Sequence, residues 1–188
     1  MTQEQKLTCP RALRSTPVFL ATCLVLFAAL DLQAAAGQAA PKATISVIAD
    51  GQMGPGARHG LSKVRLALEE KGIEAQTATS LETAEGNSLL VLGLSSGSGP
   101  AATLLDSLGV SKPIKAESLL VHHTKSAGRQ ARRPSGGQVL LVSGADDRGL
   151  MYALLDIADR IGWSSDPEKP FSEVRDIQEE PAVAERAL

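Results

Sequence analysis

QVLLVSGADDRGLMYALLDIADRIGW, residues Gln138–Trp163, joins a buried strand to an amphipathic helix through a tight acidic turn. Val139, Leu140, Leu141 and Val142 form an apolar run with β-branched members, bounded by Gly137 and Gly144, as a buried strand requires. Asp146 and Asp147 then supply carboxylates that can accept the orphan N–H groups of a first helical turn. Leu150, Ala153, Leu154, Ile157, Ala158 and Ile161 recur at helical spacing, which predicts a helix over Arg148–Ile161 ended by Gly162.

Upstream, the same reading gives a strand at Ala43–Asp50, a GQMGPG loop, and a helix from Ala57 to Lys71 with Gly72 as its C′ residue. Leu61, Val64 and Leu68 mark that helix's inner face. Ile73–Thr79 is a second strand, and the unbroken apolar run Ser88–Leu94 is a central one, covered on both faces. Pro100 opens a short helix that turns Leu104, Leu105 and Leu108 inward before Gly109. Glu117–Lys125 and Gln138–Ser143 read as paired strands joined by a basic loop. The order βαββαββα, with connections this short, predicts one α/β (α+β) sandwich: a mixed sheet with helices packed on it. Ser164–Pro170 has the composition of a linker, and Phe171–Leu188 has few apolar residues, so this tail is expected to lack order by itself.

The first forty residues read as a secretory signal. Lys6, Arg11 and Arg14 precede the apolar Val18–Leu30, and Ala34-Ala35-Ala36 offers small residues for cleavage. An exported protein, periplasmic or extracellular, is the expectation. Both cysteines, Cys9 and Cys23, lie in this leader, so the remainder has no thiol for a disulfide, a metal or catalysis. The leader holds three of the 19 Lys+Arg and two of the 21 Asp+Glu, which leaves the remainder at −3. No basic field is there to recruit nucleic acid. Tyr152, Trp163 and Phe171 are the only aromatic residues after the leader, few for a surface that stacks sugars.

Four constellations could carry chemistry. Gly54, Gly56 and Gly60 follow a strand and open a helix, as in a dinucleotide fingerprint. Their spacing is G-x-G-x-x-x-G, and no ribose-binding acid ends the second strand, so a tight strand–helix turn is the better reading. Gly93-Leu-Ser95-Ser-Gly97 matches the nucleophile elbow, with Asp106 and His122 or His123 following in hydrolase order, but no oxyanion segment accompanies it. His122 and His123 are adjacent, and alternation along a strand would send them to opposite faces, which argues against one shared metal. Arg129, Arg132 and Arg133 read as a solvated hairpin tip. No metal or cofactor is expected.

Gly144-Ala-Asp146-Asp-Arg148-Gly149-Leu-Met-Tyr152-Ala-Leu, behind its apolar strand, resembles a turn in the non-catalytic N-terminal domain of secreted glycoside hydrolases. That domain precedes the barrel in bacterial β-hexosaminidases and α-glucuronidases. Val174-Arg-Asp-Ile-Gln-Glu-Glu-Pro181-Ala-Val-Ala-Glu-Arg186 is similar to the segment leading into the barrel, so the resemblance covers Ala43–Leu188. It implies that Asp146, Arg148 and Gly149 form a structural turn, that the catalytic carboxylates lie in a downstream (β/α)8 barrel, and that carbohydrate is bound only through that barrel. It also implies that Arg186 would hydrogen-bond sugar hydroxyls, although Ala187 stands where the family often has Gly. The expected layout is a signal peptide at 1–40, the α/β domain at 41–163, and at 164–188 a linker and the start of a barrel that this chain does not contain. The alternatives are a small periplasmic serine hydrolase built on Ser95, or a binding and scaffolding module.

Overall fold

A computed structural model describes residues 44–86, 88–125 and 138–182. Six strands and three helices follow in the order β1 (Thr44–Ala49), α1 (Pro55–Glu70), β2 (Glu74–Thr77), β3 (Ser88–Leu94), α2 (Pro100–Leu108), β4 (Leu119–Lys125), β5 (Gln138–Gly144), α3 (Asp147–Trp163) and β6 (Ile177–Glu179). They make one mixed sheet ordered β2-β1-β3-β5-β4-β6. The β2-β1-β3-β5 portion is parallel, and β4 runs antiparallel to both β5 and β6. The molecule is the α/β sandwich expected from the sequence, extended by β6 at one edge.

Alternation along the strands assigns the helices to faces. Ile45, Val47, Leu90, Leu92, Leu140 and Val142 pack with α1 and α3 on one side. Ile48, Leu89, Val91, Val139 and Leu141 pack with α2 on the other. β3 and β5 are therefore covered on both faces, which is why their sequences are unbroken apolar runs. The inward stripe of α3 is Leu150, Ala153, Leu154, Ile157 and Ile161, all fully buried.

Two expectations need correction. Gly162 does not end α3, because the helix continues through Trp163 to a C-cap at Ser164, whose N–H reaches the Arg160 and Ile161 carbonyls. The tail is also not loose from Trp163 onward. Phe171 (1 % exposed) and Val174 (4 %) enter the α1/α3 core, and β6 pairs with β4 through Val121↔Ile177 and its neighbours. Burying a Phe stabilises by roughly 1.5–3 kcal/mol, enough to dock a segment that otherwise has few apolar groups. Residues 164–182 thus belong to the domain rather than to a linker. The signal segment, the Arg129–Arg133 loop and Arg186 lie outside the described residues.

Candidate functional site

The acidic turn before α3 ties that helix both to the approach to β4 and to the start of α1. Asp146 is the N-cap: its Oδ1 accepts the Gly149 N–H at 2.9 Å, while its Oδ2 accepts the N–H of Glu117 at 2.9 Å. One carboxylate therefore ties the start of α3 to the approach to β4. Gly149 is needed for the same closeness, because a Cβ there would fall on the Ser118 carbonyl oxygen. Arg148 lies in the open and pairs its Nη1 with Glu117 Oε1 at 3.0 Å. Its pKa is raised above the ordinary guanidinium value by that hydrogen bond first and by the Glu117 charge second.

Glu117 has φ 62°, the one positive φ of a non-glycine residue among those described. Left-handed backbone costs a residue with a side chain about 1–2 kcal/mol, and here the Asp146 and Arg148 contacts hold it in place. Glu117, Leu119, Tyr152, Glu179, Glu180, Pro181 and Ala182 line a shallow groove of about 370 Å³ beside this turn. Two of its acids are already neutralised, Glu117 by Arg148 and Glu180 by Lys115.

Asp147 serves a different helix. Its carboxylate accepts the N–H of Gly56 at 2.8 Å and of Ala57 at 3.0 Å, in the first turn of α1. Gly54 and Gly56 leave the space for it: a Cβ on either would come within 2.5 Å and 2.7 Å of that carboxylate. The glycines that imitate a dinucleotide fingerprint thus admit an internal anion at the helix N-terminus, where a pyrophosphate would otherwise sit. α1 has no side-chain cap of its own from Gly54, and the cap arrives from α3.

The elements of a serine triad are dispersed. Ser95 is buried and its Oγ donates to the Pro113 carbonyl at 2.6 Å. Asp106 is occupied by Lys112 at 2.7 Å. His122 and His123 both turn to Asp176, with Nδ1 3.0 Å from Oδ2 and 2.8 Å from Oδ1 respectively, and the His123 N–H joins at 2.8 Å. The expectation that alternation keeps the two rings apart is therefore incomplete. Asp176 stands next to His122 just before β6 begins, and a carboxylate at the rim of a sheet can be reached from both faces. Burial would raise the Asp176 pKa, but the His123 backbone N–H and ring, with the charges of His122 and His123, outweigh it and hold it below the ordinary carboxyl value. Among the described residues no group of three or more His, Cys, Asp or Glu is arranged to hold a metal ion. None of the described helices is long and apolar enough to cross a membrane.

Glu117 and Asp176 escaped the sequence reading. A left-handed Glu has no signature in a sequence, and the partners of Asp176, His123 and His122, lie 53 and 54 residues away.

A search against protein-family models found no match, and neither did a search of curated proteins. Twelve chains of solved structure match. One is a GH138 enzyme targeting pectin rhamnogalacturonan II, at TM-score 0.44 and 15% identity, over 73% of this chain and 15% of that one. The match thus spans about one seventh of that enzyme, and so distant a likeness carries no argument about activity.

Proposed function

We propose that this is the accessory, non-catalytic domain of an exported carbohydrate-active glycoside hydrolase, and that it packs against and steadies a catalytic barrel. The observation that carries the reading is the use made of the turn that resembles the family's. Asp146, Arg148 and Gly149 are all committed to holding α3 against the start of β4, and none is presented as an acid, base or nucleophile. The acids of the adjoining groove support it as well, since glycoside cleavage needs one carboxyl free to donate a proton and a second free to attack or activate water. Tyr152 and Trp163 stand eleven residues apart on α3, close to three full turns, so they project from the same side. At 37% and 67% exposure they give a partner domain apolar surface to cover. Sugar contact, including any by Arg186, belongs in this reading to the barrel.

The test is an assay of the purified chain with aryl glycosides of glucuronic acid and N-acetylglucosamine. Turnover should stay at background. Activity that Glu179→Gln or Glu180→Gln abolishes would show a complete site within these residues and end the accessory reading. The serine-hydrolase alternative is tested separately through Ser95, as described below.

A further inference from the structure

We propose that the crevice between the β3–α2 and β5–α3 loops binds a compact oxyanion, a phosphate or a carboxylate. α2 covers one face of the sheet, whereas α1 and α3 cover the other. The chain leaving β3 and the chain leaving the neighbouring β5 therefore diverge to opposite sides at the carboxyl ends of two parallel strands. Divergence of this kind opens a crevice, and ligands of open α/β sheets bind in such crevices. A cavity of about 330 Å³ lies there, lined by Ser95, Ser96, Gly97, Lys112, Pro113, Ile114 and Ala145.

Its chemistry is that of donors. Among the described residues no acceptor engages the N–H of Ser96, Gly97 or Ser98, and Gly97 at φ 95° turns the chain between the two serines. Ser96 adds a hydroxyl. Lys112 adds an ammonium whose pairing with Asp106 is exposed, with side chains 30% and 66% accessible, and such pairs are worth only ~0–1 kcal/mol. An ammonium has three donors, so it can serve Asp106 and a ligand together. Asp50 is the neighbouring counter-charge: its Oδ1 accepts the Gln52 N–H and its carboxylate packs on Gly99 at the start of α2, where a Cβ would fall on Oδ2, but it is not part of the lining.

A buried hydroxyl lies under the floor. Ser143 Oγ is fully buried and, among the described residues, is the one buried side-chain oxygen without a hydrogen-bond partner. Ser143 pairs with Gly93, and each precedes a lining residue by two positions, Ala145 and Ser95. Alternation places Ser143 on the same face as Leu141 and Val139, toward α2, about 7 Å below those lining residues. At that depth the hydroxyl is out of hydrogen-bond reach of an occupant of the crevice. The function proposed above does not depend on this crevice, and neither reading stands or falls with the other.

Titration of the ¹⁵N-labelled full chain with inorganic phosphate, and separately with acetate, tests the proposal against chloride at equal ionic strength. The amides of Ser96, Gly97 and Ser98 should shift and saturate for at least one oxyanion, and whichever binds more tightly identifies the class. Lys112→Gln should weaken binding by about fivefold, the loss of one charge-assisted contact. Asp106→Asn, an exposed change that frees the ammonium, should tighten it. Absence of saturable shifts beyond the chloride control would overturn the proposal. So would saturation that is identical in the wild type, Lys112→Gln and Asp106→Asn.

Discussion

Removing the Asp147 carboxylate should weaken two helices at once. Asp147→Ala deletes both acceptors that the first turn of α1 uses, the bonds from Gly56 at 2.8 Å and from Ala57 at 3.0 Å. A hydrogen bond to a charged group contributes about 1.5–3 kcal/mol. These two share one carboxylate in a half-buried place where water can partly replace it, so their sum falls short of twice that. Losing the acidic residue in the first turn of α3 adds a further ~0.3–1 kcal/mol. The expected cost is about 2–4 kcal/mol, and urea unfolding should show it as a lower midpoint at unchanged slope. Asp147→Asn, which keeps one acceptor and drops the charge, should lose roughly half as much. Gly56→Ala supplies the internal control, because its Cβ would come within 2.7 Å of Asp147 Oδ2. That substitution should be markedly less harmful in the Asp147→Ala background than in the wild type, a coupling that a double-mutant cycle measures. A loss below about 0.5 kcal/mol for Asp147→Ala, or additive behaviour of the pair, would refute the idea that this carboxylate caps α1.

Leu154→Asp should unfold the domain, because an unpaired carboxylate in a fully buried position costs several kcal/mol against a typical total of ~5–15; unchanged melting would place α3 outside the core. Ser95→Ala should lose about 1–2 kcal/mol by leaving the Pro113 carbonyl unpaired, and a fluorophosphonate probe should leave Ser95 unlabelled in the wild type; labelling that Ser95→Ala removes would revive the hydrolase reading. Asp176 has a lowered native pKa, so its contribution is complete above the ordinary carboxyl value of about 3.9 and is lost as pH falls through the lowered one. Wild type and Asp176→Asn should therefore differ in stability by a constant amount from pH 4 to 5 and converge below that window, and a gap that widens with acid contradicts the assignment. Phe171→Ala should cost about 3–5 kcal/mol and expose the segment after Trp163 to protease, whereas the wild type should resist cleavage there; early trimming of the wild type would return this segment to linker status.

What could be read in advance was whatever depends on neighbours in sequence. Ser88–Leu94 and Pro100–Leu108 match their expected bounds because a two-sided apolar run and a Pro-to-Gly bracket are local signals. β6 was invisible because three residues, Ile177–Glu179, with one half-buried apolar side chain, carry no periodicity. They become a strand only because β4 presents a free edge. Phe171 was misjudged for a related reason. Composition places an isolated Phe at the head of a tail with few apolar residues, and only the gap between α1, α3 and the sheet makes it core.

The same division explains why two site-like motifs dissolve in the fold. A glycine-rich turn before a helix marks a place where something negative comes close to backbone N–H groups, but it cannot state whose charge arrives. In α1 the charge is Asp147, 90 residues downstream, held in place because the two helices pack side by side. The elbow at Ser95 likewise marks a sharp exit from a strand, and the buried hydroxyl closes on Pro113 instead of facing a histidine. In both cases the motif reports backbone geometry faithfully, and the residue that completes it is not the one the motif implies. The turn at Asp146 differs because it reaches only to Glu117 and Ser118, the residues that lead into β4, and β4 is the strand beside its own. A motif whose partners lie that close in the sheet carries its structural role with it, which is why this one supports a reading and the others do not.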